Sequence, residues 1–170
     1  NGRHGEKLRS QWTDQVESMS NKQIISDFWN AMWSKRSPAE VSEFLAPQIS
    51  FRSPATECHG PEEYLQFYGA LLEAFSNPIV TIEELIAEED KVVARAVLRA
   101  THCGDLMGVS ATGRAFEVSV VNIFRLHEGK IVEERQAVLC TRRPRSRDEP
   151  VPWMLHLMAV HDAEVGELSY

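Results

Sequence analysis

Four side chains able to do proton or hydrogen-bond chemistry interrupt otherwise apolar strand faces in this sequence: His102, Asn122, Glu134 and Gln136. A glutamic acid in apolar surroundings is pushed toward its neutral form, which makes it a usable acid or base near neutral pH. A histidine titrates in the same range without help. The two amides differ in kind: they hold a carbonyl or hydroxyl by hydrogen bonds but cannot exchange a proton near neutral pH. A carboxyl group, a histidine and two amides facing one space would suit proton transfer beside a carbonyl.

The elements that must position them run from Lys91 to Cys140. In KVVARAVLRATHC, Val92, Ala94, Ala96, Leu98, Ala100 and His102 share one face by strand alternation. In RAFEVSVVNIFRL, Phe116, Val118, Val120, Asn122, Phe124 and Leu126 do the same, so Phe124 is a pocket wall beside Asn122. In KIVEERQAVLC, parity places Val132, Glu134, Gln136 and Val138 together. Gly129 suits the left-handed position of the hairpin between the last two runs. Three long antiparallel strands with polar groups on apolar faces predict a curved sheet around a pocket.

Ahead of the sheet, Ile24, Ile25, Phe28, Trp29, Met32 and Trp33 follow helical spacing, and Ser20 with Gln23 has the form of a capping box. Ser37-Pro38 opens a short helix that Pro47 ends, and Gln48 to Ser53 alternates as a short strand. PATECHGP reads as a loop. Gly60-Pro61 then opens a helix whose apolar side carries Tyr64, Leu65, Tyr68, Leu71, Leu72 and Phe75. Ser76-Asn77-Pro78 stops it, and Ile79 to Glu88 makes another strand. This order is α+β, with helices on one face of an antiparallel sheet. Trp29 and Tyr64 are either pocket walls or plain core.

At 170 residues, 43% hydrophobic and 25% charged, one soluble globular domain is expected. Its boundaries are read as 21–141, with residues 1–20 an N-terminal arm or expression remnant and 142–170 a linker and C-terminal helical extension. The net charge of −7 disfavours nucleic acid and anionic membrane as partners. Three scattered cysteines make no disulfide framework, and no apolar run approaches a membrane span, so a reducing, cytoplasmic setting is expected. No His, Cys or carboxylate pair stands at recognisable ligand spacing, so neither metal nor other cofactor is expected. Cys103 beside His102 points to the opposite strand face and is no thiolate partner for it.

Thr101-His102-x-Gly104, Gly108, Thr112-Gly113-Arg114, Ile123-Phe124-Arg125 and Gly129-Lys130-Ile131-Val132-Glu133, in that order and spacing, resemble the SnoaL-like polyketide cyclases of the NTF2-like superfamily. The resemblance covers roughly Gln23 to Leu139. It implies a cone, a cystatin-like α+β barrel: a curved, mixed, mostly antiparallel sheet wrapped around a long helix, with a cavity for a small hydrophobic ligand. It also implies a homodimer through the outer sheet face, which would explain apolar Val97, Val121 and Ile123 on that side. In the family an aspartate on the last strand, often with a histidine on the preceding strand, closes a ring by an intramolecular aldol reaction without cofactor. Those two positions fall at Gln136 and near Asn122 here, so the usual proton-transfer pair is absent.

What remains is Glu134 and His102 as acid–base candidates, with Asn122 and Gln136 as holders of the ligand. Each has a plainer alternative: Glu134 as a surface residue between Glu133 and Arg135, His102 as a cap on the Gly104 loop. Three functions follow: a cofactor-free cyclase or isomerase acting on a ketide-like or polycyclic molecule, a non-catalytic binding or scaffold protein, or a cofactorless oxygenation, which does not obviously require the family's aspartate.

Overall fold

The computed structural model describes residues 20–139; the predicted N-terminal arm, the linker and the C-terminal helical extension lie outside them. The described chain begins in a helix, α1 (residues 20–29), which loosens into a π-helical turn, Asn30–Ser34. A short helix α2 (Pro38–Phe44) leads into strand β1 (Leu45–Arg52) and a short strand β2 (Glu57–His59). Helix α3 (Gly60–Ala74) precedes four long strands: β3 (Phe75–Glu88), β4 (Lys91–His102), β5 (Ala115–His127) and β6 (Lys130–Leu139).

The sheet order is β2-β1-β6-β5-β4-β3. Only β1 and β6 run parallel; every other neighbour pair is antiparallel. The β5–β6 hairpin closes where Glu128 (φ 49°) and Gly129 (φ 75°) are both left-handed, the backbone of a two-residue turn matched to strand twist. Helices α1 and α3 cover the concave face. Ile25, Phe28 and Trp29 bury completely or nearly so, and Phe28 and Trp29 each meet the Phe124 ring edge-on at 6.0 Å. Each such large side chain stabilises the fold by about 2–3 kcal/mol through burial alone.

Several local expectations are corrected. Ser20 is already helical, so it is not the N-cap, and Gln23 bonds Asp27 (2.9 Å) instead. Pro47 does not end a helix; it lies inside β1, in the stretch between Leu45 and Ser50 where the pairing with β6 shifts register and a missing N–H costs no ladder bond. The stretch read as loop contains β2, whose three residues are too few to show alternation. Strand β3 starts at Phe75, directly after α3, because Asn77 (φ 51°) and Pro78 sit in a bulge between Ser76 and Ile79 rather than outside the strand.

The close fit of two elements explains one glycine. The amides of Cys103 and Gly104 both donate to Ala74 O at the end of α3 (2.8 and 3.1 Å). A Cβ at Gly104 would stand 2.6 Å from Glu73 O, so only glycine lets the chain pass there.

Candidate active site

The last strand decides what faces the cavity. From the turn, His127 pairs with Lys130 and Leu126 with Ile131, which puts Ile131 on the buried side. Strict alternation would then send Glu134 outward. Arg125, however, pairs with Glu133, so Val132 is an extra residue, a β-bulge that resets the parity. Ile131 and Glu134 therefore both bury (0% and 3% exposed). The expected grouping of Glu134, Gln136 and Val138 holds, but Ile131 rather than Val132 joins the core at the strand's start.

Cross-strand register then assembles the site. Glu134 lies between Phe51 of β1 and Phe124 of β5, and in the next row Asn122 is the direct partner of Gln136. Tyr64, on the inward side of α3, closes over them, with its ring edge-on to Phe51 at 5.5 Å. The Tyr64 hydroxyl donates to Glu134 Oε2 (2.7 Å), and Asn122 Nδ2 donates to Glu134 Oε1 (2.5 Å). Burial raises the Glu134 carboxyl to about 7, against the opposing pull of those two hydrogen bonds. Burial, reinforced by the neighbouring Glu134 charge, drives the Tyr64 phenol well above its ordinary value, so it stays a donor.

In front of this group is an inner chamber walled by Trp29, Trp33, Tyr68, Leu71, Leu98 and Val120, with Asn122, Glu134 and Gln136 at its polar end. It encloses about 540 Å³, part of it open to solvent. An outer chamber of about 650 Å³, also partly open, shares Trp33, Phe67, Leu98, Val120 and Gln136 with it. Pro54, Leu106, Met107 and Val138 line that outer chamber, which is almost wholly apolar. The arrangement is a greasy funnel ending in one titratable carboxyl. Such a site can hold a flat apolar molecule and exchange one proton with its leading edge.

Of the predicted site residues, Glu134, Asn122, Gln136, Tyr64 and Trp29 come together at the inner chamber. Phe124 does not line it: the ring is fully buried behind Trp29 and Phe28 and supports the floor. His102 is not brought to Glu134. It ends β4, eight residues beyond Ala94, the partner of Asn122, or roughly 26 Å measured along the strand. There its ring is fully buried against Phe75 (6.4 Å, edge-on), and its Nδ1 accepts from Thr112 N–H (3.3 Å). Its backbone also pairs with Arg114 and Gly113. His102 lines neither chamber, and its contacts are with the loop after β4 rather than with Glu134. The sequence reading missed Tyr68 and Trp33 as walls. Their signal was present, since each lies one helical turn beyond a residue already singled out, Tyr64 and Trp29.

A curved mixed sheet wrapped over helices, with its cavity on the concave side, is the NTF2-like fold, which solved NTF2-like proteins share. Residues 23–138 match the family model described as SnoaL-like polyketide cyclase, and the chain belongs to that family. An aklanonic acid methyl ester cyclase of Streptomyces peucetius is 35% identical over 95 residues, covering 55% of this chain and 63% of that protein. The chain thus spans less than two thirds of that relative's length. The nogalonic acid methyl ester cyclase of Streptomyces nogalater is 33% identical over 102 residues, 56% of this chain and 74% of that one. Among solved structures, AclR of Streptomyces galilaeus superposes with a TM-score of 0.66 at 24% identity, over 82% of this chain and 96% of that one. Among the described residues no helix is long and apolar enough to cross a membrane.

Proposed function

We infer that this chain is a cyclase that closes a ring in a hydrophobic ketide-like or polycyclic small molecule, with Glu134 as its acid–base group. The observation that carries it is a buried carboxyl with a proton affinity near neutrality, set at the polar end of an aromatic chamber. The reaction is proton-neutral. Glu134 as carboxylate takes a proton from carbon beside a carbonyl; the resulting enolate carbon attacks a second carbonyl of the same molecule; the new alkoxide takes the proton back from Glu134. One carbon–carbon bond forms, no electron is gained or lost, and no cofactor is consumed. Gln136, standing where the family's aspartate falls, would hold a carbonyl by hydrogen bonds while Glu134 supplies the proton chemistry.

A non-catalytic binding protein is the second reading. It is favoured by one feature: both Glu134 oxygens already accept hydrogen bonds from the protein. Incubation with aklanonic acid methyl ester and with nogalonic acid methyl ester separates the two. The expected result is an isomeric product of unchanged mass from one of them. Binding without conversion supports the second reading, and neither binding nor conversion defeats both for this substrate class.

The outer sheet face supports a homodimer as part of the same proposal. Ile86, Ile123 and Leu139, each 43–55% exposed, lie on it, whereas Val97 is already 7% exposed within one chain and would add little. Sedimentation at micromolar concentration is expected to give twice the 19.3 kDa chain mass, and a concentration-independent monomer would rule the dimer out.

A further inference from the structure

The hydrogen bonds of Asn122 leave one position open. Its side chain is 1% exposed, and its Nδ2 is committed to Glu134. With Glu134 ionised the orientation is fixed by chemistry: a carboxylate only accepts, so the amide turns its nitrogen toward Glu134 and its oxygen away. That oxygen, Oδ1, is buried and has no hydrogen-bond partner among the described residues. A buried amide oxygen without a donor destabilises the fold, because it has given up water for nothing. Of the neighbouring donors, the single Tyr64 hydroxyl proton goes to Glu134, and the amide of Gln136 across the strand pair does not bond Oδ1. Asn122 lines the inner chamber, which is the side from which a ligand would approach it.

We propose that Asn122 is a specificity-determining residue whose Oδ1 accepts a hydrogen bond from a hydroxyl group of the ligand, carried close to the carbon that Glu134 deprotonates. The proposal rests on a ligand entering the inner chamber, as in the function inferred above, and it adds a requirement that the chamber's apolar walls do not impose. An apolar funnel alone prefers the more hydrophobic of two similar molecules. An unsatisfied acceptor reverses that preference in favour of a hydroxyl donor. The same bond would hold the ligand's leading edge against the pair formed by Asn122 and Glu134, and so orient the reacting carbon.

The test compares 2-naphthol with 2-methoxynaphthalene, which differ by one donor, as ligands of the whole chain by calorimetry at about pH 8, where Glu134 is mostly ionised. The probe is meant to enter the inner chamber with its substituent toward Asn122, which lines that chamber. The expected result is roughly tenfold tighter binding of 2-naphthol. Asn122→Leu, similar in shape but without an acceptor, is expected to abolish or reverse the preference while 2-methoxynaphthalene still binds. Should that variant fail to fold, Asn122→Val, suited to a strand interior, takes its place. Equal binding of the two probes by the unsubstituted protein overturns the proposal, since water alone then satisfies the amide. Failure of both probes to bind overturns it as well, and a preference that survives in the variant assigns the hydroxyl to another acceptor. Turnover loss in Glu134→Gln is a separate measurement. If that loss is seen without a probe preference, only the role of Asn122 falls; if the preference is seen without that loss, only the catalytic role of Glu134 falls.

Discussion

Glu134 and His102 are both polar, both sealed from solvent and both on the concave face of the sheet, yet they belong to different kinds of region. Around Glu134 the partners are side chains from other elements, Tyr64 of α3 and Asn122 of β5, and a chamber lies in front of them. Around His102 the amide partner is Thr112, on the loop that follows its own strand, and the ring of Phe75 packs against it. One region keeps space beside a titratable group; the other uses a titratable group to tie down a loop. Burial of a polar residue is therefore not the functional signal. Burial next to a cavity is.

Substitution of both residues sharpens the contrast most. Glu134→Gln keeps the shape but removes the exchangeable proton and one of the two acceptor oxygens, so turnover is expected to fall about 10²–10⁴-fold with ligand affinity changed less than about threefold. His102→Gln is expected to leave turnover within about threefold and to lower stability by about 1–3 kcal/mol, read from denaturant midpoints, by disturbing the bond that holds Thr112. The reverse pattern, with the histidine variant inactive and the glutamine variant active, would break the comparison outright.

The next largest effect is on stability against pH. The folded-state carboxyl of Glu134 lies near 7, above the ordinary value of 4.5 expected in the unfolded chain. Between those values the folded protein holds a proton that the unfolded chain has released, so this group's contribution falls as pH rises through the window and is level above it. Below about 4.5 its contribution is fully present. Measured against Glu134→Gln, which cannot titrate, the unsubstituted protein is expected to lose about 2–3 kcal/mol between pH 4.5 and 8. A pH-independent difference between the two would mean that Glu134 is hydrated and that the two regions differ less than the geometry implies.

The fold was legible because its strongest signals are periodic: alternating runs in β4 and β5, helical spacing through Trp29 and Tyr64, and a glycine at the β5–β6 turn. The family match over residues 23–138 agrees with that architecture. The site was legible only in part. Alternation grouped Glu134 with Gln136 and Asn122 with Phe124, but it left open whether Glu134 faces inward and could not show the extra residue at Val132 that turns it in past Ile131. Nor could it measure how far along β4 His102 stands from Asn122, because a shared face of a long strand is not a shared site. Tyr64 as the donor to Glu134 depends on how α3 packs over β6, and helical spacing carries no such information.

The smallest expected effect tests whether the Tyr64 bond tunes Glu134 or merely fills space. The hydroxyl donates to the carboxylate and favours its charged form, so it holds the Glu134 proton affinity below what burial alone would impose. Tyr64→Phe removes that donor and keeps the ring that packs on Phe51 and Phe28. The reaction needs the carboxylate, so the rate rises with pH through the Glu134 titration, and losing the donor moves that rise upward. A hydrogen bond to a charged group is worth about 1.5–3 kcal/mol at most sites, so the midpoint of the pH–rate profile is expected to move up by about one pH unit. At about pH 6 the variant would then run up to tenfold slower, while well above the new midpoint, at about pH 10, the two rates converge. A merely structural tyrosine predicts another outcome: an equal loss at every pH with the midpoint unmoved. In that case Asn122 alone would set the charge of Glu134, and the inner region would rest on one donor rather than two.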